Sequence, residues 1–225
     1  MKMSVKISAK IKTPLIVLCF LVVFVPLTLL LLSSHAGESE TRDNLAVWRP
    51  ETRPGDLTSY SPTECVTMNR GASLSRSNES AVLGGAGGTK KEDPPHSYYG
   101  RGWSPAGQWW QLSDISTSGY ERIELSFSVR GSNTGPKNFS LGYSADGQEW
   151  LPLTDSGGAR ISYTVAADNK FHQYGPFKLP VAIEGADRLY IRFMNTDEES
   201  VAGGTIGNTG TNYITGITIT GIPAP

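Results

Sequence analysis

The chain has 225 residues, 25 of them glycine, two cysteines and a formal net charge of −1. The first 36 residues hold four lysines and no acid, so the remainder carries −5, which argues against a nucleic-acid binder, since that needs a basic stripe. Stretches suited to long amphipathic helices are scarce, and Ser, Thr, Val, Ile and aromatic residues fill the periodic ones, which predicts an all-β fold with many turns.

Residues 1–36 read as a targeting segment. Lys2, Lys6, Lys10 and Lys12 precede an apolar run from Leu15 to Leu32, and Ser34-His35-Ala36 offers small residues for a cut before Gly37. One reading is a cleaved secretory signal peptide. The other is an uncleaved signal anchor, because the 18 residues of 15–32 are just enough to span a bilayer as a helix. Pro26 and the small-residue exit favour cleavage. Residues 37–43 then form a polar linker, and 44–225 form the folded domain.

Leu45 to Trp48 is the first strand candidate, and Arg49 to Thr63 has the Pro, Gly and Ser of a loop. Cys65 to Met68 and Ala72 to Arg76 are short strand candidates. After cleavage Cys65 is the one cysteine left, either a buried free thiol or half of an intermolecular bridge. Gly84 to Lys90 resembles a phosphate loop in composition only: Thr89 stands where the pattern requires Gly directly before Lys, so a flexible loop is expected. Tyr98 to Leu112 holds Tyr98, Tyr99, Trp103, Trp109 and Trp110. In a strand Trp109 and Trp110 must point to opposite faces. An outward indole is a flat apolar surface on which the C–H face of a sugar can stack, unless loops cover it.

The clearest structural signal runs from Ser118 to Leu153. Ile123, Leu125, Phe127 and Val129 alternate with polar residues, as do Phe139, Leu141 and Tyr143, which marks two strands with one dry face each. Asp146-Gly147 suggests a two-residue hairpin turn. That register sets Tyr143 opposite Trp150 and Leu141 opposite Pro152, and so predicts Trp150 in the core beside Tyr143. Pro152 marks an edge or a strand end. Arg160 to Val165 and Phe171 to Leu179 are further strands. Arg188 to Met194 is another, with Leu189, Ile191 and Phe193 on one face and Tyr190, Arg192 and Met194 on the other. Glu198 to Asn212 reads as a loop or weak strand, and Tyr213 to Thr220 closes the domain. About ten strands result, which predicts a two-sheet antiparallel β-sandwich or jelly roll, preceded by the N-terminal signal or anchor helix.

The stretches Ser116-Thr117-Ser118-Gly119-Tyr120, Ser132 to Phe139 and Gly142 to Gly147 resemble a jelly-roll module of bacterial extracellular proteins. Leu45 to Trp48 and Ile217 to Gly221 resemble its opening and closing strands, so the resemblance covers about residues 44–222. It implies a β-sandwich similar to galactose-binding-like or carbohydrate-binding modules. It supplies no catalytic residues, since the matching positions are turn and core residues.

The candidate chemistry is correspondingly thin. His96 and His172 lack the spacing of a metal site. Asp155-Ser156-Gly157-Gly158 is similar to the serine stretch of chymotrypsin-like proteases but follows Thr154 instead of Gly, and a turn is expected. The acidic loop Asp197, Glu198 and Glu199 is a candidate for a structural calcium ion, with a solvated charged turn as the alternative. The expectation is a secreted or surface-held, non-catalytic binding module for a glycan or cell-envelope polymer, with Trp103, Trp109, Trp110, Tyr190 and Arg192 as ligand-binding candidates. The alternatives are a structural envelope or matrix protein and an accessory partner of an extracellular hydrolase. No nucleic acid is expected as a partner, and the membrane only through residues 15–32.

Overall fold

The computed structural model describes residues 41–51, 57–77, 84–87 (backbone only) and 96–225, all within the compact unit Ser39–Pro225. The targeting segment over 1–36, with its signal or anchor helix, and linker residues 37–40 lie outside them, as do 88–90 of the glycine-rich stretch. Among the described residues no helix is long and apolar enough to cross a membrane. In chain order the strands are β1 (Asp43–Trp48), β2 (Ser59–Tyr60), β3 (Glu64–Cys65), β4 (Ser73–Arg76), β5 (Gly84–Gly87), β6 (His96–Gly100) and β7 (Trp109–Ile115), followed by β8 (Tyr120–Gly131), β9 (Asn138–Ser144), β10 (Leu151–Pro152), β11 (Ser162–Thr164), β12 (His172–Lys178), β13 (Leu189–Asn195) and β14 (Asn212–Pro223).

These strands form a two-sheet antiparallel sandwich, as the alternation predicted. The first sheet runs β12-β8-β14-β1-β3, with β6 also on β14 and β5 on β6. The second runs β10-β9-β13-β7-β4-β2, with β11 also on β9. Two stretches depart from expectation. Gly84–Gly87 is a strand, because its backbone pairs with β6. The predicted strand over Cys65 to Met68 is only the β3 pairing, followed by a 3₁₀ turn at Thr67–Asn69. Cys65 is a free, half-buried thiol.

The core lies where the inward residues of both sheets meet. Phe127 on β8 and Phe193 on β13 are both 0% exposed and meet edge to face, their ring centres 4.9 Å apart. Tyr174 stacks on Phe127 at 5.6 Å, and Tyr163 stacks flat on Phe139 at 4.9 Å. Such pairs add about 0.5–1.5 kcal/mol each beyond the area they bury. Every buried indole N–H has an acceptor: Trp48 donates to the Tyr60 carbonyl (3.0 Å), Trp103 to that of Gly100 (2.7 Å) and Trp110 to Asn212 Oδ1 (2.9 Å).

Trp103 and Trp110 flank a buried cation. Arg76, 7% exposed, sets its guanidinium carbon 3.8 Å from the Trp103 ring centre and 5.3 Å from that of Trp110. Its Nη1 donates to the Arg101 carbonyl. Burial pushes its pKa down to about 9, which leaves it charged at neutral pH.

The hairpin after β9 differs from the predicted turn, with a consequence for the surface. Only Gly147 takes a positive φ (77°), whereas a type I′ turn needs two such residues. The loop is longer and is closed by side chains. Asp146 Oδ1 accepts the N–H groups of Gln148 (2.8 Å) and Glu149 (2.9 Å), and the Ser144 hydroxyl accepts those of Asp146 (3.3 Å) and Gly147 (2.9 Å). Tyr143 therefore pairs with Leu151, and Gly142 with Pro152. The register is one residue off the expected one, and a one-residue slip turns a side chain to the other face. Trp150 leaves the predicted core position and lies on the outer surface.

Phe127→Ala is expected to destabilise the domain by about 3–5 kcal/mol in denaturant unfolding. Leu151→Ala, at a site 56% exposed, is expected to stay within about 0.5 kcal/mol. The backbone donors of Gln148 and Glu149 hold the Asp146 carboxyl below its ordinary value. Its stabilising effect is therefore present above the unfolded-state pKa and is lost as pH falls through the lower, folded one. A carboxyl NMR titration is expected to give Asp146 a midpoint below that of a free aspartate, and Asn in its place to remove the pH dependence of the loop amides.

Candidate functional site

The site lies on the outer face of the second sheet. Along β13 the alternation sends Leu189, Ile191 and Phe193 inward and Tyr190, Arg192 and Met194 outward. Along β7 it sends Trp110 and Leu112 inward and Trp109 and Gln111 outward. The pairing sets Met194 opposite Trp109 and Arg192 opposite Gln111. On its other side Arg192 faces Gly142 of β9. A Cβ at 142 would lie 3.2 Å from the Leu151 carbonyl oxygen and 3.8 Å from the Trp150 ring, so the bare backbone lets the hairpin lie close over this strand.

Arg192 is thereby held between two indoles. Its guanidinium carbon lies 4.2 Å from the Trp109 ring centre and 3.7 Å from that of Trp150. Nε donates to Gln111 Oε1 at 2.7 Å, and Gln111 Nε2 donates to the Ser113 hydroxyl at 2.7 Å. The Nη groups have no hydrogen-bond partner among the described residues. Partial burial lowers the guanidinium pKa from its ordinary value. The result is a half-buried platform, a guanidinium flanked by two indoles with N–H donors left over, suited to binding a ring that carries hydroxyl or acid oxygens.

Neighbouring groups extend the platform. The Tyr190 ring lies against the hairpin at Gly147, where an added Cβ would be 3.6 Å from the ring. Its hydroxyl donates to Asp114 Oδ1 (3.2 Å), and the same carboxylate pairs with Arg188 Nε (3.3 Å). Beside Trp150, a pocket of about 220 Å³ is lined by Ser140, Trp150, Leu151, Arg160 and Met194 among others.

Of the five residues expected to bind a ligand, the structure brings Trp109, Tyr190 and Arg192 to one face. Trp103 and Trp110 are 0% exposed in the core, where they flank Arg76, and so cannot meet a ligand as expected. The strand period requires one of Trp109 and Trp110 to face inward, and the structure shows it to be Trp110, whereas Trp103 belongs to a loop, where no period applies. Trp150 is the member that sequence reasoning missed, since its position depends on a turn that side chains close.

The acidic loop is occupied by protein donors. Asp197 Oδ2 accepts from Asn138 Nδ2 (2.9 Å), and its Oδ1 accepts the Glu199 N–H (3.0 Å). Glu199 pairs with Lys137 Nζ at 2.6 Å. Asp197, Glu198 and Glu199 do not converge: among the described residues no group of three His, Cys, Asp or Glu side chains could hold a metal ion. Asp155 to Gly158 is a turn in which Asp155 Oδ1 accepts the N–H groups of Gly157 (2.9 Å) and Ala159 (3.0 Å). His172 lies elsewhere on the surface, its Nε2 2.9 Å from both oxygens of Asp168.

No protein-family model and no curated protein matches the chain. Among solved structures it is similar to an arabinose-bound α-L-arabinofuranosidase, at 10% identity and a TM-score of 0.41, over 78% of this chain and 26% of that one. It thus spans about a quarter of that enzyme (26%). It is similar to a family 29 carbohydrate-binding module, at 12% identity and a TM-score of 0.40, over 80% of this chain and 89% of that one. It is also similar to the family 30 carbohydrate-binding module of a cellulosomal cellulase from Clostridium thermocellum, at 12% identity and a TM-score of 0.40, over 80% and 98% of the two chains.

Proposed function

We propose that this chain is a non-catalytic binding module that takes a carbohydrate on the outer face of its second sheet. One observation carries the reading: the Arg192 guanidinium stacked between Trp109 and Trp150. A sugar offers flat C–H faces to an indole and ring oxygens to a guanidinium, and this platform presents both partners side by side. The three groups are held in place by Gln111, Gly142 and the Asp146 loop, so little ordering is needed on binding.

Assembly through exposed strands, the reading as a structural envelope protein, has less support. Two sheet edges, β2 and β10, are only two residues long. A third, β12, contains Pro176, which has no N–H to offer a further strand.

The module works outside the cytoplasm, either released by a cut near Ala36-Gly37 or held by residues 15–32 as a single-pass anchor. The four lysines ahead of the apolar run support this placement. The intact mass of the protein recovered from its native host distinguishes the two forms. A mass that includes residues 1–36 in soluble, membrane-free protein overturns both.

The binding test uses the full chain against a panel of soluble and insoluble polysaccharides, with and without calcium. Trp109→Ala and Trp150→Ala are each expected to remove one stacking face, about 1–2 kcal/mol, or roughly tenfold in Kd, with circular dichroism unchanged. Calcium is expected to have no effect. If no polysaccharide binds, or if the two variants bind as the parent does, the proposal fails.

A further inference from the structure

The outer face of the first sheet carries a second row of rings and cations. Tyr99 on β6 is the cross-strand partner of Tyr213 on β14, and Tyr213 is that of Arg130 on β8. His172 pairs with Val129, so the antiparallel register continues to set Phe171 opposite Arg130. The residues alternating with them, Tyr98, Ile214 and Val129, are buried in the core, which fixes the row on the outside. Tyr99, Arg130, Phe171 and Tyr213 are all half-exposed. The row crosses four neighbouring strands, a width of roughly 14 Å.

Its geometry parallels the Arg192 platform. Arg130 places its guanidinium carbon 4.2 Å from the Tyr213 ring centre and 5.1 Å from that of Phe171. The Tyr99 and Tyr213 rings lie 6.1 Å apart, and the Arg101 guanidinium caps Tyr99 at 5.6 Å.

The charges at this row are uncompensated. Arg42 reaches Glu124 (3.0 Å), Lys137 reaches Glu199 (2.6 Å) and Arg188 reaches Asp114 (3.3 Å), whereas Arg76 and Arg192, like the arginines of this row, lie over aromatic rings. Among the described residues neither Arg101 nor Arg130 reaches any carboxylate, and the buried Arg130 Nε has no hydrogen-bond partner. The carboxylate of Asp168, three residues before Phe171, lies 2.9 Å from His172 Nε2. A guanidinium without a carboxylate partner has N–H donors to offer an incoming anion through its accessible part.

We infer that this row is a second binding site, separate from the Arg192 platform, for an acidic polysaccharide. Sugar rings lie on Tyr99 and Tyr213, and a uronate or sulfate group meets Arg130 and Arg101. The inference shares only the polymer class with the reading of the second sheet. Two arginines on a body of net charge −5 make a local anion site, not the basic stripe that a polynucleotide requires.

The test measures binding of the full chain to polygalacturonate and alginate, to methyl-esterified polygalacturonate and to a single-stranded oligonucleotide. Both acidic polymers are expected to bind. Arg130→Gln and Tyr213→Ala are each expected to weaken that binding at least fivefold, Arg130→Lys to weaken it less than Arg130→Gln does, and Trp109→Ala to weaken it less than any of these. Esterification is expected to reproduce the Arg130→Gln loss, and added salt to weaken binding to the acidic polymers alone. The inference is overturned if neither acidic polymer binds, if Arg130→Gln and Tyr213→Ala bind as the parent does, if the esterified polymer binds equally well, or if the oligonucleotide binds more tightly. Loss of polyuronate binding in Trp109→Ala alone also overturns it, by assigning the acid to the second sheet. Arg130-dependent polyuronate binding with no binding of neutral polysaccharides leaves this inference standing and removes the reading of the second sheet.

Discussion

The contact between Phe127 and Phe193 is the constraint from which the surface follows. It fixes which side of β8 and which side of β13 face inward. Because strand side chains alternate, the inward placement of Phe193 obliges Arg192 and Met194 to face solvent, and the inward placement of Phe127 does the same for Ser126 and Ser128. The core therefore does more than stabilise the sandwich. It sets the positions at which any binding group must appear, in the way a wall decides where its windows are cut.

Stacking of an arginine between aromatic rings recurs on both outer faces, and the reason is physical. A guanidinium is weakly hydrated on its two flat sides and strongly hydrated at its edge. Rings on the flat sides cost it little water, restrict its motion and leave its edge N–H groups directed outward. The side chain, otherwise among the most flexible, becomes a fixed donor array. On the second sheet Gln111 completes the restraint through Nε, and Ser113 in turn orients Gln111.

Much of this was legible in the sequence because period two is a strong signal. The faces of β8, β9 and β13 and the opposite orientations of Trp109 and Trp110 follow from alternation alone. What alternation cannot supply is register across a turn. Asp146-Gly147 has the composition of a tight hairpin, but Ser144 and Asp146 spend their oxygens on four backbone N–H groups and hold a wider loop open. That local competition moved Trp150 from the predicted core to the surface. Trp103 escaped for a related reason: a loop residue has no period, and its burial depends on Arg76, which arrives from β4 some distance back in the chain. A single arginine in a short strand candidate gives no sign that it will be enclosed.

Arg76 also sets how this end of the sandwich responds to acid. An ion pair with a carboxylate loses its attraction once the carboxylate takes up a proton. The partners of Arg76 are two indole π-clouds and a backbone carbonyl, none of which is protonated at any pH a living cell meets. Its guanidinium changes charge only on the alkaline side, near pH 9. Acidification therefore has nothing to titrate in this cluster, so the loops between β6 and β7 are anchored by a cation that sour surroundings leave unchanged.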